Sequence, residues 1–184
     1  DDGVTLDGVP LVDLPLADVR RRILVSETEP RLFTGTLRAG LDPYRRHDDS
    51  PLHEAVHTAS ATDVLDTLPD GLDGVVEERG RTFSGGQRQR ITLARALVRD
   101  PEVLILVEPT SAVDAHTEAR VAERLRHARI GRTTVATTLS PLVLDRADIV
   151  VWLEAGRVAA EGTHRFLLEK IRAYRDTVTR GEDS

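Results

Sequence analysis

Residues 84–114, SGGQRQRITLARALVRDPEVLILVEPTSAVD, decide which fold this sequence can adopt. A serine and two glycines precede residues 85–99, in which apolar side chains recur at helical spacing. Asp100-Pro101 ends this pattern, because the residue before a proline disfavours helical backbone. The run VLILV that follows is apolar on both faces, which predicts a central strand covered by helices on each side. Glu108 comes directly after that strand and therefore belongs at its carboxyl end.

Short aliphatic runs and helical patterns alternate along the whole chain, which predicts an α/β fold with a largely parallel sheet. The strands that we predict are 3–6, 22–26, 103–108 and 133–138, and a hairpin of 148–153 and 157–161 that turns at Ala155-Gly156. The helices that we predict begin at Ser50-Pro51 and Ser140-Pro141, occupy 85–99, 115–129 (capped by Asp114 and ended by Gly131) and close the chain at 164–179.

Residues 35–80 differ from the rest of the chain. They contain several short helical patterns and turn signals such as Leu68-Pro69-Asp70-Gly71, but no good strand. We therefore expect a small helical subdomain at 35–80, inserted into an α/β core formed by 1–34 and 81–184.

The composition limits the classes of protein to consider. With 40% hydrophobic and 30% charged residues among 184, the chain is typical of a soluble globular domain. A net charge of -6 and a pI near 5.5 argue against a nucleic-acid-binding surface, so we predict no nucleic-acid partner. The absence of cysteine excludes disulfides and thiolate zinc sites. All basic residues except Lys170 are arginines, a bias that favours a bacterial source with a GC-rich genome.

The start of the 85–99 helix is a candidate anion site. Ser84 is placed to cap the helix, while Gly85 and Gly86 leave backbone N–H groups uncovered at the positive end of the helix dipole. Taken alone, a simple N-cap with flexible glycines explains these residues better, because such caps are common.

The motifs occur in a definite order, however. SGGQRQR, ITLARAL and VLILVEPTSAVD at this spacing resemble the nucleotide-binding domain of ATP-binding cassette (ABC) proteins. LDGVPLVDLPLADVRRRI at 6–23 and LPDGLDGVVEERG at 68–80 are similar to the corresponding segments of ABC exporters. The resemblance covers about residues 2–175, and it implies an incomplete P-loop NTPase-like core.

In that family, two such domains dimerise head to tail, and each ATP lies between the Walker motifs of one domain and the signature motif of the other. The resemblance implies that the signature segment of this chain contacts the γ-phosphate of an ATP held mainly by a partner domain; its residues are Ser84, Gly85, Gly86 and Gln87. Arg79 and Gly80 would lie in the segment that senses a transmembrane domain of the same polypeptide. The implied location is the cytoplasmic face of the plasma membrane.

Several family positions are missing or replaced. No glycine-rich Walker A loop, G-x-x-x-x-G-K-[ST], occurs in the sequence, and we expect the chain to be a fragment that starts after it. By the resemblance, Val107 replaces the aspartate that holds Mg²⁺, Thr28 replaces the Q-loop glutamine, and Thr137 replaces the switch histidine. Because Mg²⁺ prefers oxygen ligands, we predict no metal ligand at Val107.

Other positions are retained. Glu108 matches the residue that positions or activates the attacking water, so it is the candidate catalytic residue. Ser111 and Asp114 match the D-loop, residues 111–114, although Asp114 is also a candidate helix cap. Three replacements beside an intact signature favour a heterodimer: this domain's own site is degenerate, and its signature completes the site of a partner that hydrolyses ATP.

Three other hypotheses stay open. A scaffold cassette that no longer binds ATP would carry the same replacements. A soluble ABC ATPase acting on DNA or ribosomes is disfavoured by the acidic pI and the exporter-like segment 68–80. Residues 53–57, HEAVH, match the zinc-protease pattern, with His53 and His57 on one helix face and Glu54 as a base. We find no convincing third ligand, although Glu77 and Glu78 lie at a conceivable distance along the sequence, and we interpret the histidines as solvated.

Overall fold

A computed structural model describes residues 3–28, 32, 34–76 and 82–182 of the chain. Its strands are β1 (Thr5–Leu6), β2 (Val9–Pro10), β3 (Ile23–Ser26), β4 (Gly35–Thr36), β5 (Val75–Val76), β6 (Val103–Val107), β7 (Thr133–Thr137), β8 (Val150–Glu154) and β9 (Arg157–Gly162). Its α-helices are α1 (Leu16–Arg22), α2 (Leu37–Leu41), α3 (Asp49–Thr58), α4 (Thr62–Asp66), α5 (Gly85–Val98), α6 (Ala115–Ala128), α7 (Pro141–Leu144), α8 (His164–Lys170) and α9 (Arg172–Glu182).

The centre of the fold is a parallel sheet in the order β3-β6-β7. This confirms the predicted parallel α/β core and the central position of β6. The prediction that a strand at 3–6 belongs to this sheet is wrong. Its last two residues form β1, which pairs antiparallel with β2 in a small ribbon, because a tight turn with positive φ at Asp7 and Gly8 folds the chain back at once.

The two faces of this sheet are covered unequally. Leu104 and Leu106 of β6 are buried in the main hydrophobic cluster, which also contains apolar side chains of α5 and α6. On the other face, Val25 and Val135 flank Ile105 in one row and are 53% and 47% exposed. Within the described residues, the prediction that helices cover β6 on each side is therefore wrong for this second face.

The helices between β4 and β5 pack onto α5. Leu37, Leu52 and Val56 lie in the same cluster as Ile91 of α5. The Arg90 guanidinium donates to the Ser60 carbonyl and pairs with the Asp63 carboxylate, which ties α5 to the start of α4. The expectation of no strand in this region is wrong, since β4 and β5 pair over two residues and bring the ends of the segment together.

Two helix boundaries differ from the predictions. Helix α3 begins at Asp49, with Asp48 as N-cap, two residues before the predicted cap at Ser50. Pro51 is then the third helical residue, and it is tolerated because first-turn N–H groups have no helical acceptor. The single closing helix at 164–179 is divided at Ile171, whose extended backbone (φ -117, ψ 102) ends α8.

The division at Ile171 has a packing reason. It lets Tyr174 and Val178 of α9 pack on Leu167 of α8 and Val150 of β8, which form a second hydrophobic cluster. The hairpin β8-β9 beside it turns through positive φ at Ala155 and Gly156, as predicted. Among the described residues, no helix is long and apolar enough to cross a membrane.

Candidate functional site

The first turn of α5 is organised by a capping box. Ser84 Oγ accepts from the Gln87 backbone N–H at 3.2 Å, and Gln87 Oε1 accepts from the Ser84 N–H at 2.9 Å. This confirms the predicted cap. Gly85 and Gly86 follow in the first turn, where backbone N–H groups have no carbonyl four residues earlier to bind. The turn thus presents donors without side chains over them, which is the chemistry that suits a phosphate oxygen.

Gly86 also has a packing role. A Cβ built on it would lie 2.5 Å from the Ala112 carbonyl oxygen and 3.2 Å from Val113 Cγ1, so the D-loop lies directly against the start of α5. Gly85 differs, because its Cβ would meet the Ala112 Cβ at an ordinary 3.8 Å. Packing against the D-loop therefore requires a glycine at position 86. At position 85 the packing would also accept a residue with a Cβ.

Glu108 stands at the carboxyl end of β6 in left-handed backbone, with φ 47. Its N–H donates to the Thr137 carbonyl at 2.9 Å, which extends the pairing of β6 with β7 by one residue. Burial raises the pKa of the Glu108 carboxyl, and the nearby carboxylate of Glu118 raises it further. Such a carboxyl binds a proton more readily than one in water, as a proton acceptor beside a reacting group must.

The three replaced positions meet at this same edge of the sheet, and we call Thr28, Val107 and Thr137 the edge cluster. Val107 is the register partner of Thr137 in the β6-β7 pair. Thr28 Oγ1 lies 3.5 Å from the Val107 carbonyl oxygen as a donor. Residues that are far apart in the sequence are thus neighbours, because the carboxyl ends of parallel strands meet at one edge.

The edge cluster does not fit the magnesium site that the family resemblance implies. Mg²⁺ needs oxygen ligands in near-octahedral geometry, and the isopropyl side chain of Val107 provides none. At the carboxyl end of β6, the Glu108 carboxyl follows Val107 directly, and burial makes it hold a proton more tightly than usual.

The D-loop connects the edge of the sheet to α6. Asp114 accepts from the Thr117 N–H at 3.0 Å and caps α6, as predicted. That hydrogen bond is the main reason why the pKa of Asp114 is lowered. Ser111 Oγ donates to the Glu108 carbonyl at 3.2 Å, so the D-loop folds back on the residue after β6.

Sequence reasoning missed Gln89, which is buried inside α5 with 7% of its surface exposed. Its Nε2 donates to the Glu108 carbonyl (2.9 Å) and to Ser111 Oγ (3.1 Å), and its Oε1 accepts from the Ala112 N–H (3.0 Å). A signal was available: Gln89 shares a helix face with the apolar Leu93 and Ala96, and a polar residue on such a face predicts a buried hydrogen bond.

The remaining candidates take no part in this arrangement. Arg79, Gly80, Glu77 and Glu78 lie outside the described residues. His53 and His57 are exposed on α3. In the described part of the chain, no group of three or more histidine, aspartate or glutamate side chains is placed to hold a metal ion.

Comparison with known proteins identifies the class. The family model for ABC transporters matches residues 1–111. The chain therefore belongs to the ABC transporter family.

Individual relatives narrow the class to exporters. The chain is 39% identical over 180 residues to an ABC multidrug transporter MDR1 of the fungus Cryptococcus neoformans. It is 40% identical over 171 residues to an ATP-dependent lipid A-core flippase of the bacterium Chromobacterium violaceum. These alignments cover 95% and 92% of this chain but 13% and 29% of the relatives, so the chain spans less than a third of their length.

A solved structure agrees with these relatives. The structure of a bacterial Atm1-family ABC exporter with ATP bound matches with a TM-score of 0.86 and 28% identity. The match covers 97% of this chain and 32% of that one. The chain thus corresponds to the ATP-binding domain of exporter-type ABC transporters, which confirms the predicted fold and family.

Proposed function

We propose that this domain is the supporting half of an asymmetric ABC exporter. Its signature segment, Ser84 to Gln87, completes the ATP site of a partner nucleotide-binding domain, which hydrolyses the ATP. Its own site binds nucleotide weakly or without turnover. ATP binding and hydrolysis in the assembled pair drive a transmembrane domain of the same polypeptide, at the cytoplasmic face of the plasma membrane of a bacterium.

The observation that carries this proposal is the contrast within one small region. The edge cluster brings three replacements together, and one of them removes an oxygen ligand for Mg²⁺. The signature segment forms the start of α5, and we call this part the signature turn. It lies against the D-loop and keeps its capping box and both glycines. Because the two motifs serve different ATP molecules in a head-to-tail dimer, damage to one and preservation of the other support a division of labour.

The residues at the signature turn fit a nucleotide. When bound there, ATP would supply a γ-phosphate, and the first-turn N–H groups of α5 would stabilise its negative charge. The Ser84 hydroxyl would keep its capping hydrogen bond and add a donor. Residues 35–80 would form the helical subdomain that carries this turn toward the membrane domain, with 1–34 and 81–184 as the core.

The experiment uses the intact exporter with its partner. Gly85→Ala adds a methyl group that close packing allows, but places it over the exposed donors of the first turn. We expect its MgATP turnover to fall about tenfold or more, the loss typical of a displaced transition-state donor, with unchanged thermal stability. Unchanged turnover would contradict the proposed role of the signature segment.

A second arm tests the asymmetry. The polypeptide carrying this domain, assembled as a homodimer without its partner, should hydrolyse MgATP at no more than about one hundredth of the rate of the full exporter, because each site would contain an edge cluster. Robust Mg-dependent hydrolysis by the homodimer would overturn the degenerate-site proposal. If neither the homodimer nor the full exporter binds MgATP or MgADP at millimolar concentration, the domain is a scaffold instead.

A further inference from the structure

We infer that Gln89 is a positioning residue that holds the D-loop and the Glu108 backbone in fixed relation to the signature turn. The inference rests on the proposed function, in which this turn completes a partner's ATP site. The polar atoms of Gln89 are occupied by Glu108, Ser111 and Ala112, so its role is to place other groups.

The hydrogen bonds of Gln89 leave none of its amide donors unused. Both Nε2 hydrogens are donated, one to the Glu108 carbonyl at 2.9 Å and one to Ser111 Oγ at 3.1 Å. The Oε1 atom accepts from the Ala112 N–H at 3.0 Å. One neutral side chain of α5 therefore binds Glu108, Ser111 and Ala112, which all lie in the connection between β6 and α6. A side-chain amide can do this because it supplies two N–H donors and an acceptor oxygen.

Gln89 secures backbone that is unfavourable by itself. Glu108 has φ 47, a left-handed conformation that is unfavourable for a residue with a Cβ. Its N–H is bound by Thr137 of β7, and its carbonyl is bound by Gln89 of α5. Strained backbone persists where surrounding contacts over-determine it, and here one contact comes from each side of the residue.

The same side chain acts on the signature side. Ala112, whose N–H Gln89 accepts, is the residue whose carbonyl oxygen would lie 2.5 Å from a Cβ at Gly86. The D-loop is thus held at Ala112 by a hydrogen bond from one turn of α5 and by close packing on the turn before it. Loss of the hydrogen bond would free the D-loop to move relative to Gly85 and Gly86, and displacements of about 1 Å can cost about a hundredfold in rate.

The test compares three variants of the intact exporter assembled with its partner. Gln89→Leu removes all three hydrogen bonds at similar volume. Gln89→Glu keeps the shape, but its carboxylate cannot donate. Ile91→Val is the matched control, because Ile91 is also buried on α5 and its truncation removes a methyl group without touching a hydrogen bond.

Two readouts are measured with MgATP as the probe. Hydrogen exchange of the Ala112 amide should become at least about tenfold faster in Gln89→Leu, which removes the acceptor of that amide, and stay within about twofold in Ile91→Val. In Gln89→Leu, kcat should fall about tenfold or more with KM within about twofold, because the partner domain holds most of the ATP. For Gln89→Glu, kcat relative to wild type should recover between about pH 8 and about pH 6, since burial favours the neutral acid, which donates a hydrogen bond.

The outcomes separate the two proposals. If the Ala112 amide stays protected in Gln89→Leu, or if kcat falls no further in Gln89→Leu than in Ile91→Val, the positioning role is refuted. If Gln89→Leu does not assemble, the pH profile of the isosteric Gln89→Glu decides: recovery of kcat toward about pH 6 supports the positioning role, and a flat profile refutes it. If wild-type exporter shows no MgATP turnover, the proposed function fails, while Ala112 exchange still reports whether Gln89 holds the D-loop.

Discussion

The first turn of α5 and the carboxyl edge of the parallel sheet lie on either side of the D-loop, and they differ in what they can bind. The turn has reciprocal capping bonds and glycines that leave donors open. The edge has Val107 between two threonines, and burial raises the pKa of the adjacent Glu108 carboxyl. Packing explains how both can persist: the Ala112 contacts hold the turn in place whether or not the edge binds a ligand.

Substitution of Gly86 should give the largest effect. In Gly86→Ala, the added methyl group meets backbone of the D-loop at 2.5 Å, and we expect a loss of about 2 kcal/mol in the free energy of unfolding. Urea unfolding measures this loss. Gly85→Ala is the control and should leave the free energy of unfolding unchanged, since its contact is an ordinary 3.8 Å. Equal stability of the two variants would mean that the D-loop does not pack against α5 as described.

Restoring the edge cluster should give an intermediate effect. Val107→Asp combined with Thr28→Gln and Thr137→His returns a carboxylate oxygen and two polar side chains to this edge. We expect Mg-dependent ADP binding in this domain's own site to tighten about tenfold in the assembled exporter, because the aspartate supplies a hard oxygen ligand. Isothermal titration with and without Mg²⁺ measures it.

The control for that restoration is Thr28→Gln alone, which adds no carboxylate and should leave the Mg²⁺ dependence as it is. If the triple variant binds ADP no more tightly with Mg²⁺ than without it, the edge cluster is not the reason for weak binding.

Substitution of the Glu118 carboxylate should give the smallest effect, on the pKa of Glu108 and on stability. It raises the pKa of Glu108, so Glu118→Gln should lower that pKa while keeping an oxygen that can accept from Thr110 Oγ1. A carboxyl with a raised folded-state pKa stabilises the fold when protonated, and this contribution is lost as the pH rises through the folded value. The variant should therefore be slightly more stable at neutral pH, by a fraction of about 1 kcal/mol, and the gain should vanish in acid.

Carboxyl carbon titration by NMR and unfolding at several pH values measure both quantities. A pKa of Glu108 that does not move in Glu118→Gln would show that burial alone sets it.

Local chemistry explains which parts of this molecule could be predicted. The caps at Ser84 and Asp114 follow from residues three positions apart, and the meeting of Val107 with Thr137 follows from parallel pairing. The break at Ile171 depends on long-range packing of Tyr174 against Val150, which no local pattern indicates. The hydrogen bonds of Gln89 can be predicted only when its burial is recognised. Its place on the apolar face of α5 indicates that burial.

The most direct test of the supporting-half account is the MgATP turnover of the intact exporter carrying Glu108→Gln. The substitution keeps the size and the backbone hydrogen bonds of Glu108 and removes its capacity to accept a proton. The account predicts turnover within about twofold of wild type, because hydrolysis occurs in the partner's site. A loss of about a hundredfold or more would show that Glu108 acts in a working site of its own, and it would contradict the account.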